Sequence, residues 1–260
     1  MATLCLAGCL MLSGCVTVPE TGRTQLNLLS PAEESRLGFA AFEEMKGEIP
    51  VSEDPEVNRL VQEVGKRIAA VADLPGAEWE FVVFDSPEVN AFCLPGGKVG
   101  VYTGILGVTQ NEGGMATVLG HEVAHAVARH GGERVSQAML MQTGGQALGA
   151  ALGGTEESTQ AAAATIYGLG AQLGVALPHS RRQEAEADEI GLLYMARAGY
   201  NPEEAVSFWE RFGDFNQQQG GGAPWFLRTH PMDADRIENL KRLLPAAAAE
   251  YRQARQRPQR

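Results

Sequence analysis

The sequence predicts a mainly helical α+β fold with one small sheet. Helical spacing recurs along the 260-residue chain, as in Val57, Leu60, Val61, Val64 and Ile68 on one face. Strand patterning is confined to Trp79–Phe84 and to two short stretches around Pro95-Gly96-Gly97. Helix-start signals stand at Ser30-Pro31-Ala32-Glu33, Asp54-Pro55, Ser180 and Asn201-Pro202.

Taken in order, the first helix runs from Pro31 to about Lys46, opened by a capping box with Pro at the first helical position. The second runs from Asp54-Pro55 to about Val71. A strand covers Trp79–Phe84. Ala91–Leu94 and Lys98–Tyr102 form a hairpin through Pro95-Gly96-Gly97. A helix of roughly five turns follows, from Glu112 to His130, stopped by Gly131-Gly132. Another covers Glu133–Gln142. Residues 144–175 read as Ala/Gly-rich helices broken at Thr155-Glu156-Glu157-Ser158, too interrupted to span a bilayer. Ser180 caps a helix ending at Gly199, and Asn201-Pro202 caps one reaching Phe212. Residues 217–222 (QQQGGG) form a flexible loop. Pro231 opens a last helix through Leu244, and the basic tail, 246–260, frays.

Hydrophobic residues make up 44% of the chain, which excludes a disordered protein. Acidic residues number 32 against 21 basic ones, a net charge of −11, so the basic footprint of a nucleic-acid binder is missing. The cysteines are Cys5, Cys9, Cys15 and Cys93, a spacing with no disulfide framework. Residues 1–14 are uncharged and apolar or small, with the length of a signal-peptide core. They end at Leu12-Ser13-Gly14-Cys15, which resembles a bacterial lipobox and implies cleavage before Cys15 and its lipidation. The expected organisation is a signal peptide at 1–14, a lipidated tether at 15–29, one folded domain at 30–245 and the tail. A lipid anchor would make the membrane a partner. Val16 after the lipidated cysteine is not Asp, which favours the outer membrane.

His121-Glu122-Val123-Ala124-His125 is an H-E-x-x-H sequence inside a predicted helix. Positions i and i+4 lie about 40° apart and about 6 Å along the axis, so both imidazoles can reach one Zn²⁺. Glu122 is placed to hold a zinc-bound water and accept its proton, since zinc lowers the pKa of that water to about 7. The apolar flanks Val118, Leu119, Val123 and Val127 bury this helix, and its polar groups then need a partner.

A third ligand is required, with a fourth position open. His130 falls about 180° round the same helix from His121, and is expected instead to favour the helix C-terminus electrostatically. In Ser180-Arg181-Arg182-Gln183-Glu184-Ala185-Glu186-Ala187-Asp188, Glu184 and Asp188 share a helix face. Glu184 can ligate the zinc, and Asp188 can accept the N–H of a ligand histidine and fix its tautomer. Glu186 and Glu189 lie off that face and read as solvated.

Together HEVAHAVARHGGERVS and SRRQEAEAD resemble the HtpX-like and CAAX-prenyl-endopeptidase-like zinc metallopeptidases, in particular their bacterial lipoprotein branch. The resemblance extends to residues 22–27 (GRTQLN), 90–97 (NAFCLPGG) and 228–231 (RTHP). It implies a zincin-like domain holding one Zn²⁺ on His121, His125 and Glu184, with Glu122 as general base and Asp188 behind a ligand. It also brings His230 near the metal. There His230 would hydrogen-bond the oxyanion or close the open position as an inhibitory fourth ligand; the plain alternative is a helix-entry histidine ahead of Pro231. His179 stands where the family often has an aromatic, and Cys93 where it often has another small residue. Cys93 reads as a buried, inert thiol.

The implied function is a periplasm-facing zinc endopeptidase, lipid-anchored in the outer membrane of a Gram-negative bacterium. It would hydrolyse misfolded or unassembled envelope proteins. The rival reading is a chaperone-like envelope assembly factor with a closed or self-inhibited zinc site. Lys98–Tyr102, read as an edge strand, would pair with an extended substrate.

Overall fold

The structure is a computed structural model and describes residues 14–151, 179–218, 224–231 and 235–256. The mainly helical α+β expectation holds. Two strands, β1 (Cys15–Thr17) and β2 (Thr24–Leu26), pair antiparallel with Cys15 opposite Leu26. The segment expected as an irregular tether thus carries a hairpin, too short to show period-2 patterning. Then come α1 (Pro31–Glu48) and α2 (Pro55–Ala69). Ser30 and Glu33 form the capping box their spacing predicts, and the Asp54 side chain accepts from the N–H groups of Glu56 and Val57.

Strands β3 (Glu80–Phe84), β4 (Ala91–Leu94) and β5 (Lys98–Tyr102) form the small sheet in the order β3-β5-β4. The hairpin turns on Gly96 and Gly97, at φ 87° and 86°, values only glycine adopts without strain. β5 is therefore the central strand, parallel to β3 and antiparallel to β4. This corrects its expected edge position; pairing of β3 with β5 is non-local and leaves no sequence signal.

After a short helix α3 (Leu106–Thr109) comes α4 (Glu112–Val127), capped by Asn111 and buried along its whole length from Gly114 onward. It packs against α2, β4, α6 (Arg181–Arg197) and α7 (Glu203–Gln218). Burial on all sides explains its all-round apolar composition. Between α4 and α5 (His130–Ala151), Arg129 takes φ 54°. The helix expected to run to His130 therefore breaks two residues before the glycines thought to end it. The Arg129 guanidinium is held by Glu34 Oε2 at 2.9 Å and the Leu29 carbonyl at 2.7 Å, which offsets the cost of a left-handed non-glycine residue. Most of the Ala/Gly-rich reading of 144–175, and the loop at 217–222 beyond Gln218, lie outside the described residues.

α8 (Trp225–Thr229) and α9 (Arg236–Gln256) complete the chain. α9 continues through Pro245 to Gln256, where a fraying tail is the sequence expectation; buried Leu240 and Ala247 show why it stays helical. α9 packs on α6 and α7. Among the described residues no helix is long and apolar enough to cross a membrane.

Candidate metal centre

The site forms where α4 crosses α6. At the crossing Gly120 and Gly191 meet backbone to backbone: a Cβ on Gly191 would lie 2.9 Å from the Gly120 carbonyl carbon and from His121 N. Lacking side chains there, the helices approach closely enough for the polar faces on each to meet. The first turn of α6 is fixed by a capping box between Ser180 and Gln183, which sets where Glu184 projects.

Four buried side chains converge: His121, His125, Glu184 and His230. His121 Nε2 and His125 Nε2 are 3.0 Å apart. Glu184 places its oxygens 3.4 Å from the first and 3.3 Å from the second. His230 Nδ1 lies 3.2 Å from His121 Nε2 and 3.0 Å from Glu184 Oε1. The last ring is set by α8, whose Phe226 carbonyl accepts from the His230 N–H and whose Phe226 ring stacks on it. A helix-entry role alone does not describe His230; it stands in the donor cluster.

Each ligand-type group has a support. His121 Nδ1 lies 3.0 Å from Asp188. Arg236 reaches Asp188 at 2.6 Å and Glu184 at 3.1 Å, with its guanidinium over the Trp209 ring. Sequence reading missed Arg236: a single arginine at the start of a C-terminal helix carries no local signal. His125 Nδ1 lies 2.7 Å from His130 Nδ1. His130 is thus beside the site. The break at Arg129 turns it back, whereas a continuous helix would carry it to the opposite face. His130 Nε2 meets Glu186 Oε2 at 3.0 Å, and Glu186 also takes Arg23 and Thr21. The expectation that Glu186 is solvated fails because the β1–β2 hairpin covers that face of α6. Glu189 is exposed, as its position off the face implies.

The electrostatics favour a cation. Burial opposes charge on His121, yet Glu184 and Asp188 outweigh it and hold its pKa at about 9. Burial and then His121 push His125 well below the ordinary histidine value. Burial raises Glu184, but His230 and His121 overcome it and hold its carboxyl well below the usual range. Glu122 goes the other way: burial pushes it up, against the pull of His230 and His121. Its Oε1 is buried, lies 3.4 Å from His230 Nε2 and accepts no hydrogen bond. A buried carboxylate oxygen without a donor, beside two imidazoles and a second carboxylate, fits a site built for Zn²⁺ and a water.

A narrow cleft of about 20 Å³ opens beside Glu122 and His125, lined also by Cys93, Pro95, Arg134 and His179. The His179 ring lies over His125, with centroids 3.8 Å apart. Cys93 is buried, and burial pushes its thiol pKa up, so it stays protonated. Cys15 is exposed, in β1, far along the chain from these groups.

A two-histidine helix crossed by a carboxylate-bearing helix, on a small-sheet α+β frame, defines a zincin-like metallopeptidase domain. The chain belongs to peptidase family M48, whose model matches residues 55–244. It is 39% identical over 186 residues to the mitochondrial metalloendopeptidase OMA1 of Saccharomyces cerevisiae, covering 70% of this chain and 51% of that protein. To the protein of the same name in Schizosaccharomyces pombe it is 36% identical over 240 residues, 88% of this chain and 66% of the relative. The beta-barrel assembly-enhancing protease of Escherichia coli is 28% identical over 233 residues, 86% of this chain and 46% of that protein. The chain thus spans about half to two thirds of the length of these relatives.

These matches overturn the expected position at the outer membrane of a Gram-negative bacterium. Both fungal relatives are mitochondrial by name and match at 39% and 36%, whereas the bacterial one matches at 28%.

Proposed function

We propose that the chain is a zinc-dependent endopeptidase of unfolded or unassembled proteins, with Zn²⁺ held by His121, His125 and Glu184. The observation that carries this reading is the convergence of those three donors beside the unpartnered Glu122 oxygen. When bound, Zn²⁺ supplies Lewis acidity, acidifying water and polarising the scissile carbonyl. Glu122, whose burial pushes its pKa up, accepts a proton from the attacking water and returns it to the leaving amine. Asp188 and Arg236 hold His121 and Glu184 in place. The printed name of the Escherichia coli relative supports substrates caught during assembly.

The substrate path differs from that read in the sequence. β4, not β5, has its outer edge beside α4. Asn90 turns its carbonyl to Tyr102 in β5, so by alternation Ala91 and Cys93 direct their backbone groups outward, toward the cleft. An extended backbone pairing there would lie across Glu122 and be read with little regard to side chains. Digestion of casein with and without a chelator tests the activity: hydrolysis should stop with chelator and return with added zinc. Chelator-insensitive hydrolysis would exclude the reading.

The position of His230 favours a second reading of the same site, in which its ring occupies the open position and restrains the enzyme or leaves a closed assembly factor. His230→Ala separates the cases. A severalfold rise in casein hydrolysis marks a restraining ligand. A fall of about 10²-fold or more, with zinc retained, marks a donor to the oxyanion. No hydrolysis by either form marks the assembly factor.

A further inference from the structure

We infer that His130 is a positioning residue that fixes the tautomer of His125, with Glu186 behind it and Arg23 of the N-terminal hairpin holding Glu186. The inference rests on the reading that His125 offers Nε2 to the metal. An imidazole that gives one nitrogen's lone pair to a cation must carry its proton on the other. That proton sits on His125 Nδ1, 2.7 Å from His130 Nδ1. Two such nitrogens share one proton, so His130 Nδ1 accepts. Neutral His130 then carries its own proton on Nε2, aimed at Glu186 Oε2 3.0 Å away. A carboxylate can only accept, so every proton along the chain is assigned.

The reverse orientation fails at both ends. With the proton on His130 Nδ1, His125 would carry its proton on Nε2, among the metal donors. His130 Nε2 would then turn a lone pair toward the Glu186 carboxylate. The orientation is anchored by Arg23, whose Nε donates to Glu186 Oε2 at 2.5 Å and whose Nη1 lies 2.9 Å from Glu133, and by the Thr21 hydroxyl on Glu186 Oε1. Helix α6 thus serves both histidines. Asp188 faces His121 directly, and Glu186, on the other side of the helix, reaches His125 through His130. This gives the Arg23 of the GRTQLN segment a task at the site, though it lies far from the metal donors in sequence.

The test is imidazole nitrogen NMR of the zinc-loaded wild-type chain, together with zinc affinities measured against a competing chelator. His130 should show a protonated Nε2 and an unprotonated Nδ1. A proton on Nδ1, alone or with one on Nε2, would overturn the inference. His130→Phe, which fills the space but accepts nothing, should weaken zinc binding about 10- to 100-fold. His130→Gln, whose carbonyl can accept from His125, should recover much of that loss. Wild-type affinity in His130→Phe would overturn the inference while leaving the metal site intact. A wild-type chain that binds no zinc would instead defeat the metal reading itself. If His130→Phe does not fold, the wild-type spectrum decides alone.

Discussion

Glu122→Gln should lower the rate of casein hydrolysis by about 10²- to 10⁴-fold, the range lost with a general base. The amide has the size of the carboxylate and cannot take up a proton. Zinc content should stay at the wild-type level, because the proposed donors are His121, His125 and Glu184. Stability of the metal-free chain should not fall. Burial already disfavours the Glu122 charge, and its Oε1 accepts no hydrogen bond, so removing the charge leaves no protein partner of that oxygen stranded. Rate, metal analysis and a thermal melt on one preparation check all three. A variant that folds, holds zinc and cleaves at the wild-type rate would eliminate Glu122 as the base.

Gly191→Ala should destabilise the chain and weaken zinc binding at least 100-fold, although alanine is the better helix former. In open space the exchange would gain about 1 kcal/mol. Here the new methyl meets the Gly120 carbonyl carbon and His121 N, each at 2.9 Å, and backbone atoms cannot rotate away. The helices must separate, at a cost of about 1–3 kcal/mol for overpacking. Separation carries Glu184 and Asp188 away from His121 and His125. Gly213→Ala in α7 is the control: nothing lies within 4 Å of its added methyl, so it should raise stability by about 0.5–1 kcal/mol. Urea denaturation of both variants gives the signs. A stabilised Gly191→Ala with full zinc affinity would show that helix contact at Gly191 does not set the site.

The parts of this molecule legible in the sequence are those encoded over a few residues. Ser30 with Glu33, and Ser180 with Gln183, mark helix starts because a cap is a local hydrogen-bond exchange. His121 and His125 share a face because the helix period dictates it, and so do Glu184 and Asp188. The Pro95-Gly96-Gly97 turn marks its hairpin for the same reason. What escaped depends on distant partners. The break after α4 falls at Arg129, where no glycine announces it. It is sustained by Glu34 and the Leu29 carbonyl, and it brings His130 to His125. Glu186 points away from the metal-facing side of α6, which reads as solvent until the β1–β2 hairpin is seen to cover it. Arg236 and the β3–β5 pairing likewise follow from contacts the local pattern does not encode. Location also escaped: a lipobox-like tetrapeptide is a short motif, and the relatives outweigh it.

The most direct measurement is the zinc content of the purified chain and of Glu184→Ala, each read after gel filtration in metal-free buffer. About one zinc per wild-type chain and almost none in a folded Glu184→Ala variant is the expected result, since Glu184 is the carboxylate that joins the two α4 histidines in the donor cluster among the described residues. A wild-type chain without metal, or a variant that keeps its full equivalent, would contradict a cation gripped jointly by His121, His125 and Glu184.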